Sequence, residues 1–323
     1  MTERAQEKVA SPHIPVLLDA VLQSFDGIDA TGSFIDCTLG YAGHSEALLR
    51  AHPGLRLLGI DRDPEALAFS RRRLAPYVER VQLLHGSFSD LLPGLLSRER
   101  VVGILADFGV SSLQLDHRER GFSFESETLD MRMNPQQGFS AETLVNSYSV
   151  EALERIFRDY GEIRPARRLA EAIVKARSRR AIRSGQELAA IVESVLPRRG
   201  RIHPATQPFQ AIRIAVNDEL GEIDRLLDTL QADPPAGAVV SLITFHSLED
   251  RRVKNRFRDW SRDCICPPGT PRCLCGGGHA LGRPLQRKAI AATPEEAAAN
   301  PRSRSAKLRS FRFREKPEQG KEG

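Results

Sequence analysis

Five stretches of this chain bring groups that could do chemistry to the ends of apolar runs. In FIDCTLGYAGH (34–44), an apolar run ends at Asp36 and Cys37, and a loop containing Gly40 and Gly43 follows. LRLLGID ends in Asp61, RVQLLHGSF carries Phe88 just past its apolar part, and GILAD ends in Asp107. AVVSLITFHSLED places His246 and Ser247 past a fifth run. Glycines allow a tight turn and close backbone approach to a ligand. A carboxylate at the end of the next strand accepts hydrogen bonds from ribose hydroxyls. Gly40 and Asp61, twenty-one residues apart, therefore point to an adenosine-containing ligand.

The loop is not a dinucleotide fingerprint, because the G-x-G-x-x-G spacing fails at Gly40, Ala42 and Gly43. It also lacks the Lys and Ser/Thr of a phosphate cradle. A ligand with a ribose and no pyrophosphate, such as S-adenosylmethionine, needs only the close approach and the acid. Phe88 could pack on adenine or serve as an ordinary core ring. Asp107 ends so apolar a strand that it needs partners, either a turn to cap or a ligand to meet. Glu249 and Asp250 open a helix after His246 and read as capping and dipole matching.

Positioning these groups requires strands that end side by side. Residues 30–107 alternate strand and helix signals, with Pro64 in the first turn of one helix, which predicts a parallel sheet with right-handed crossovers. From Gly121 to Ile212 the spacing is helical, punctuated by Gly, Pro and Ser. NDELGEIDRLLDTLQ is amphipathic, PPAG turns, and AVVSLITF returns to the sheet. PLQRKAI and KLRSFRF are expected to form an antiparallel edge pair, and the last ten or so residues read as disordered. The expected fold is α/β, with 1–116 and 213–323 forming one discontinuous domain around a helical insert at 117–212.

The composition fits that fold: 41% hydrophobic and 28% charged residues, with a mean hydropathy of −0.34. No apolar run reaches the length of a membrane span, and MTERAQEKVA lacks the apolar core of a secretion signal. Five cysteines, an odd number, fit reduced thiols in the cytoplasm. Four of them, Cys264, Cys266, Cys273 and Cys275, form two C-x-C pairs that could hold a structural zinc. From Arg251 onward there are 18 Lys and Arg against 7 Asp and Glu, a net of +11, so the rest of a chain of net +5 carries −6. A basic tail on an acidic body suggests a polyanionic partner.

HIPVLLDAVL, DCTLGYAGHSEALL, GIDRDPEAL, ADFGVSSLQLD, RGFSF, LDMRMN, HPATQPFQAIRIAVNDEL, FHSLEDRRVK and NPRSRSAKLR together resemble the MraW/RsmH family, in order, from about His13 to Arg309. The resemblance implies a class I, Rossmann-like methyltransferase sheet with a linearly inserted helical domain for substrate recognition. It implies methylation of N4 of a cytidine in the decoding region of small-subunit ribosomal RNA, with no membrane and no DNA partner. It also implies S-adenosylmethionine contacts by Ala42, Gly43, His44, Asp61, Phe88, Asp107 and Gln114. Ala42 departs from the double glycine common in that family.

A cytosine amine is a poor nucleophile. Its methylation needs in-line placement and an acceptor for the amine proton. Asp107, or the backbone carbonyls of Asp107 and Phe108, could accept it, and His246 is the second catalytic candidate. The base must leave its stack, and Phe108, Phe122 and Phe124 are candidates to receive it. Arg302, Arg304 and Arg309 are the tail residues expected to meet RNA phosphates. Two rival readings are a methyltransferase of a small molecule or protein, and a non-catalytic ribosome-assembly factor. The Arg-rich RPARRLAEAIVKARSRRAIR and the basic tail speak against the first; Asp61 and Asp107 speak against the second.

Overall fold

The computed structural model describes residues 14–110, 114–115, 117–198, 200, 203–267 and 269–315. MTERAQEKVA and residues 316–323, most of the segment read as disordered, lie outside them. The chain forms two compact units, Met1–Gly109 with Ile223–Gly323, and Val110–Glu222.

In the first unit, five parallel strands stand in the order β3-β2-β1-β4-β5. They are β1 (Ser33–Asp36), β2 (Arg56–Asp61), β3 (Val81–His85), β4 (Val101–Asp107) and β5 (Val239–Thr244). β1 and β5 are buried along their whole length and β4 up to its terminal Asp107. Continuous apolar runs such as VVSLIT suit a sheet covered on both faces. The order reverses between β1 and β4, which makes the carboxyl ends of these two strands the switch point of a Rossmann-like sheet.

The crossover helices are α2 (Gly43–Ala51), α3 (Pro64–Arg73) and α4 (Phe88–Leu96), and α1 (Leu18–Ser24) precedes β1. α3 starts where its sequence says it should: Pro64 needs no N–H partner, and the Asp63 carboxylate accepts the Glu65 N–H at 3.1 Å.

The second unit is helical: α5 (Ala141–Ser147), α6 (Val150–Asp159), α7 (Ala166–Arg177), α8 (Gly185–Val195) and α9 (Thr206–Asn217). Serines open three of these helices. Ser140, Ser149 and Ser184 accept the N–H groups of Thr143, Ala152 and Glu187. Leu144, Leu153, Phe157, Leu169, Leu188 and Val192 supply its core from one face of each helix.

α10 (Glu219–Ala232) leads to β5, and α11 (Ser247–Trp260) follows it. The remaining strands, β6 (Gly282–Pro284), β7 (Ile290–Ala291) and β8 (Lys307–Phe313), depart from expectation. β8 does pair antiparallel with β6 and β7, but it also runs antiparallel beside β5, so it is an interior strand. Its alternate side chains explain this. Phe311 and Phe313 pack with Phe257 and Trp260 at centroid distances of 5.2–5.4 Å. Ser310 extends a buried hydroxyl chain through Ser241 to Ser24, with links of 2.9 and 2.8 Å.

Candidate active site

The loop after β1 is held from three sides before any ligand is considered. Gly40 (φ 51°) and Ala42 (φ 57°) are both left-handed, and they turn the chain from β1 into α2. Such a backbone suits glycine; an alanine there carries a cost of about 1–2 kcal/mol that the rest of the loop must hold in place. The Asp61 carboxylate accepts the Gly40 N–H at 2.7 Å and the Asp63 N–H at 2.8 Å. From α3, Ser70 donates to the Gly40 carbonyl at 2.7 Å and Arg73 to the Tyr41 carbonyl at 3.1 Å. Asp61 therefore ties the glycine loop to the end of β2, a role its sequence position alone does not disclose.

Asp36, also without a role legible from sequence, ties the loop from beneath. Only 2% exposed, it accepts the Ser45 hydroxyl at 2.5 Å and the Thr38 N–H at 3.1 Å. Thr38 in turn accepts the Asp107 N–H at 2.6 Å, joining the ends of β1 and β4. Burial pushes Asp36 and Asp61 up to about 6 and Asp107 up to about 7; the Gly109 N–H offsets part of the Asp107 shift, and Asp36 and Glu249 add to it. One oxygen of Asp107, Oδ1, is buried without a hydrogen-bond partner. Desolvated carboxylates converging on one sheet edge favour a cationic ligand there.

The loop after β5 adds to the same edge. Gly109 approaches Phe245 so closely that a Cβ on it would lie 2.7 Å from the ring, which brings the loops after β4 and β5 together. Glu249, fully buried, accepts the N–H groups of Phe245 and His246 through Oε2 at 2.7 and 3.3 Å, so its capping role is real. Its Oε1 has no hydrogen bond and stands 3.1 Å from Nε2 of His246, too far off axis to count as one. Asp107 Oδ1 thus remains open at these adjoining strand ends, beside a His246 side chain that faces Glu249 at 3.1 Å. Buried groups in that state mark a site where a ligand completes the bonding. Glu249→Ala should cost about 1–3 kcal/mol by stranding two N–H groups, lowering the urea midpoint at unchanged slope. Glu249→Gln, which keeps an acceptor oxygen, should lose less.

The other expected residues are placed as follows. Phe88 opens α4, is buried, and its ring lies 6.2 Å from that of Phe108. His44 spends Nε2 on the Val16 carbonyl at 2.8 Å, so its ring braces the preceding segment, and a ligand would meet its backbone. Gln114 is buried in the second unit. In that unit Phe122 and Phe124 line a cavity of about 160 Å³ together with Met131, Phe209, Gln210 and Arg213. Phe108 belongs to the first unit. Arg304 is exposed and Arg302 half-buried. Arg309 pairs with Asp250 at 2.7 Å in a partly buried ion pair. The four sulfur atoms of Cys264, Cys266, Cys273 and Cys275 all lie within 4.8 Å of one another. Among the described residues no helix is long and apolar enough to cross a membrane.

Residues 10–314 match the model of the MraW methylase family. The chain is 58% identical over 304 residues to Ribosomal RNA small subunit methyltransferase H of a Sulfurovum species, covering 94% of this chain and 98% of that protein. It is 55% identical to the protein of the same name from Wolinella succinogenes and 53% identical to that from a Nitratiruptor species, in each case over 94% of this chain and 99% of the relative.

Proposed function

The chain belongs to the MraW methylase family, and on that premise we propose that the loops after β1, β2, β4 and β5 carry its chemistry. It is an S-adenosylmethionine-dependent methyltransferase acting on the exocyclic N4 amine of a cytidine in the decoding region of small-subunit ribosomal RNA. S-adenosylmethionine supplies an electrophilic methyl group. The residues fit it: close backbone approach at Gly40 and Ala42, and buried carboxylates suited to a sulfonium.

Asp61 takes the ribose hydroxyls while still holding Gly40 and Asp63, since each carboxylate oxygen has two lone pairs. Ala42, Gly43 and His44 bring backbone to the donor, and Phe88 completes its binding. Asp107 accepts a hydrogen from the cytidine amine through Oδ1, drawing the nitrogen lone pair out of conjugation and stabilising its developing positive charge. The single observation that supports this reading best is that Oδ1, buried at the switch point, has no partner of its own. His246, facing Glu249 at 3.1 Å, positions the base. The helical unit recognises the substrate. A ribosomal substrate puts the protein in the cytoplasm.

Small subunits lacking the modification, incubated with the full chain and methyl-labelled S-adenosylmethionine, should yield labelled N4-methylcytidine on nucleoside mass spectrometry. Label in another nucleoside, or none, would overturn the assignment. A short free oligonucleotide should turn over far more slowly. Arg302→Ala with Arg304→Ala should flatten the dependence of log affinity on log salt by about 0.7–0.9 for each phosphate these arginines neutralise. An unchanged slope removes these residues from the RNA footprint.

A further inference from the structure

We propose that Cys264, Cys266, Cys273 and Cys275 hold a structural zinc ion in a closed four-thiolate site between α11 and β6. Cys264 and Cys273 stand 3.7 Å apart, Cys273 and Cys275 3.6 Å, and Cys264 and Cys275 3.6 Å. Zinc–sulfur bonds of about 2.3 Å, arranged tetrahedrally, give sulfur–sulfur edges of about 3.8 Å. Three edges of such a tetrahedron are therefore present, and Cys266 lies within reach as the fourth corner. The same distances are far beyond the roughly 2.05 Å of a disulfide bond.

The surrounding backbone is arranged for thiolates. The Leu274 N–H donates to the Cys266 sulfur at 3.2 Å. The backbone N–H groups of Gly277 and Ile265 converge on the Cys275 sulfur. Gly276, Gly277 and Gly278 are three consecutive left-handed residues (φ 79°, 73° and 78°), a curl that three side-chain-bearing residues would resist. It wraps the chain round the cluster, and His279 closes the loop by pairing with the carbonyls of Cys275 and Asp263.

Among its described residues the loop has no buried core to hold this shape. Of the described residues between Ser261 and His279, none is buried, and Ile265 and Leu274 are among the most exposed large apolar side chains of the protein. Its ends are clamped where the Leu281 N–H donates to the Trp260 carbonyl, but the interior has no core. Four sulfurs fill the coordination shell, so the ion is structural and takes no part in methyl transfer. Soft thiolate ligands in a tetrahedron select zinc or iron among common divalent ions. Binding displaces the thiol protons, leaving a doubly negative site beside Arg314, which bonds to the Gly278 carbonyl and Asp263.

The full chain, purified without chelators or immobilised-metal resin, should carry about one zinc per molecule by plasma mass spectrometry. A mercurial titration of that protein should release the metal in step with four thiols, which tests the site without any variant. Cys273→Ser with Cys275→Ser should reduce zinc at least about tenfold while circular dichroism stays native. Chelation should open residues 262–279 to proteolysis. Iron in place of zinc, protein with four free thiols and no metal, disulfides in the unreduced mass, or zinc retained by the double variant would each overturn the proposal.

Discussion

Asp107→Asn should slow single-turnover methyl transfer at saturating S-adenosylmethionine by about 10²–10⁴-fold, the usual loss when a positioned proton acceptor is disabled. The side chain keeps its shape and one acceptor oxygen, and the Asp107 N–H bond to Thr38 is untouched. What disappears is the negative charge facing the amine. Because burial raises Asp107 to about 7, the wild-type rate should climb as pH rises through 7 and level off above it. The variant should lack that limb. Stability should move the other way. An acid whose folded pKa lies above its unfolded value of about 3.9 stabilises most while protonated. That contribution is lost as pH rises from about 4 through 7, so above pH 7 the Asn variant should melt higher than wild type. If only the Michaelis constant for S-adenosylmethionine rises and single-turnover chemistry stays normal, Asp107 is a binding residue. A variant unchanged in both parameters would place the active site elsewhere.

Asp61→Ala should weaken S-adenosylmethionine binding by about 1.5–3 kcal/mol, roughly 10- to 150-fold, the range for lost hydrogen bonds to a charged group. Two losses coincide at this residue. The ribose acceptor goes, and the Gly40 and Asp63 N–H groups lose the carboxylate that fixes the loop. Asp61→Asn separates them: it retains an acceptor for one loop N–H and should recover stability more fully than affinity. Calorimetry and thermal melting on both variants distinguish the roles. Wild-type affinity in the Ala variant would sink the assignment.

Asp61 and Asp107 are legible in the sequence because an acid ending an apolar run is conspicuous, and strand ends of a parallel sheet meet at one edge. Asp36 sits in the same stretch, yet only the fold shows that Ser45 and Thr38 converge on it. Glu249 reads as a helix cap, which is half of what it does. Its complete burial and its open oxygen toward His246 depend on packing that no local pattern encodes. Arg309 looks like a tail cation because its partner, Asp250, lies 59 residues earlier. β8 reads as an edge strand for a related reason: alternating LRSFRF suits either place, and the rings and hydroxyls that draw it beside β5 are distant in sequence.

That placement of β8 bears on how the protein is made. Ribosomes deliver β5 well before β8, so the nascent chain emerges with the edge of Val239–Thr244 open and Phe257 and Trp260 unmatched by their aromatic partners. An unpaired apolar strand of this kind invites pairing with other chains. The parallel half of the sheet can assemble during translation, but it is sealed only when Lys307–Phe313 arrives. A message cut short upstream of that segment yields a sticky fragment suited to chaperones and proteases, so completion of the polypeptide is itself the checkpoint for a folded enzyme.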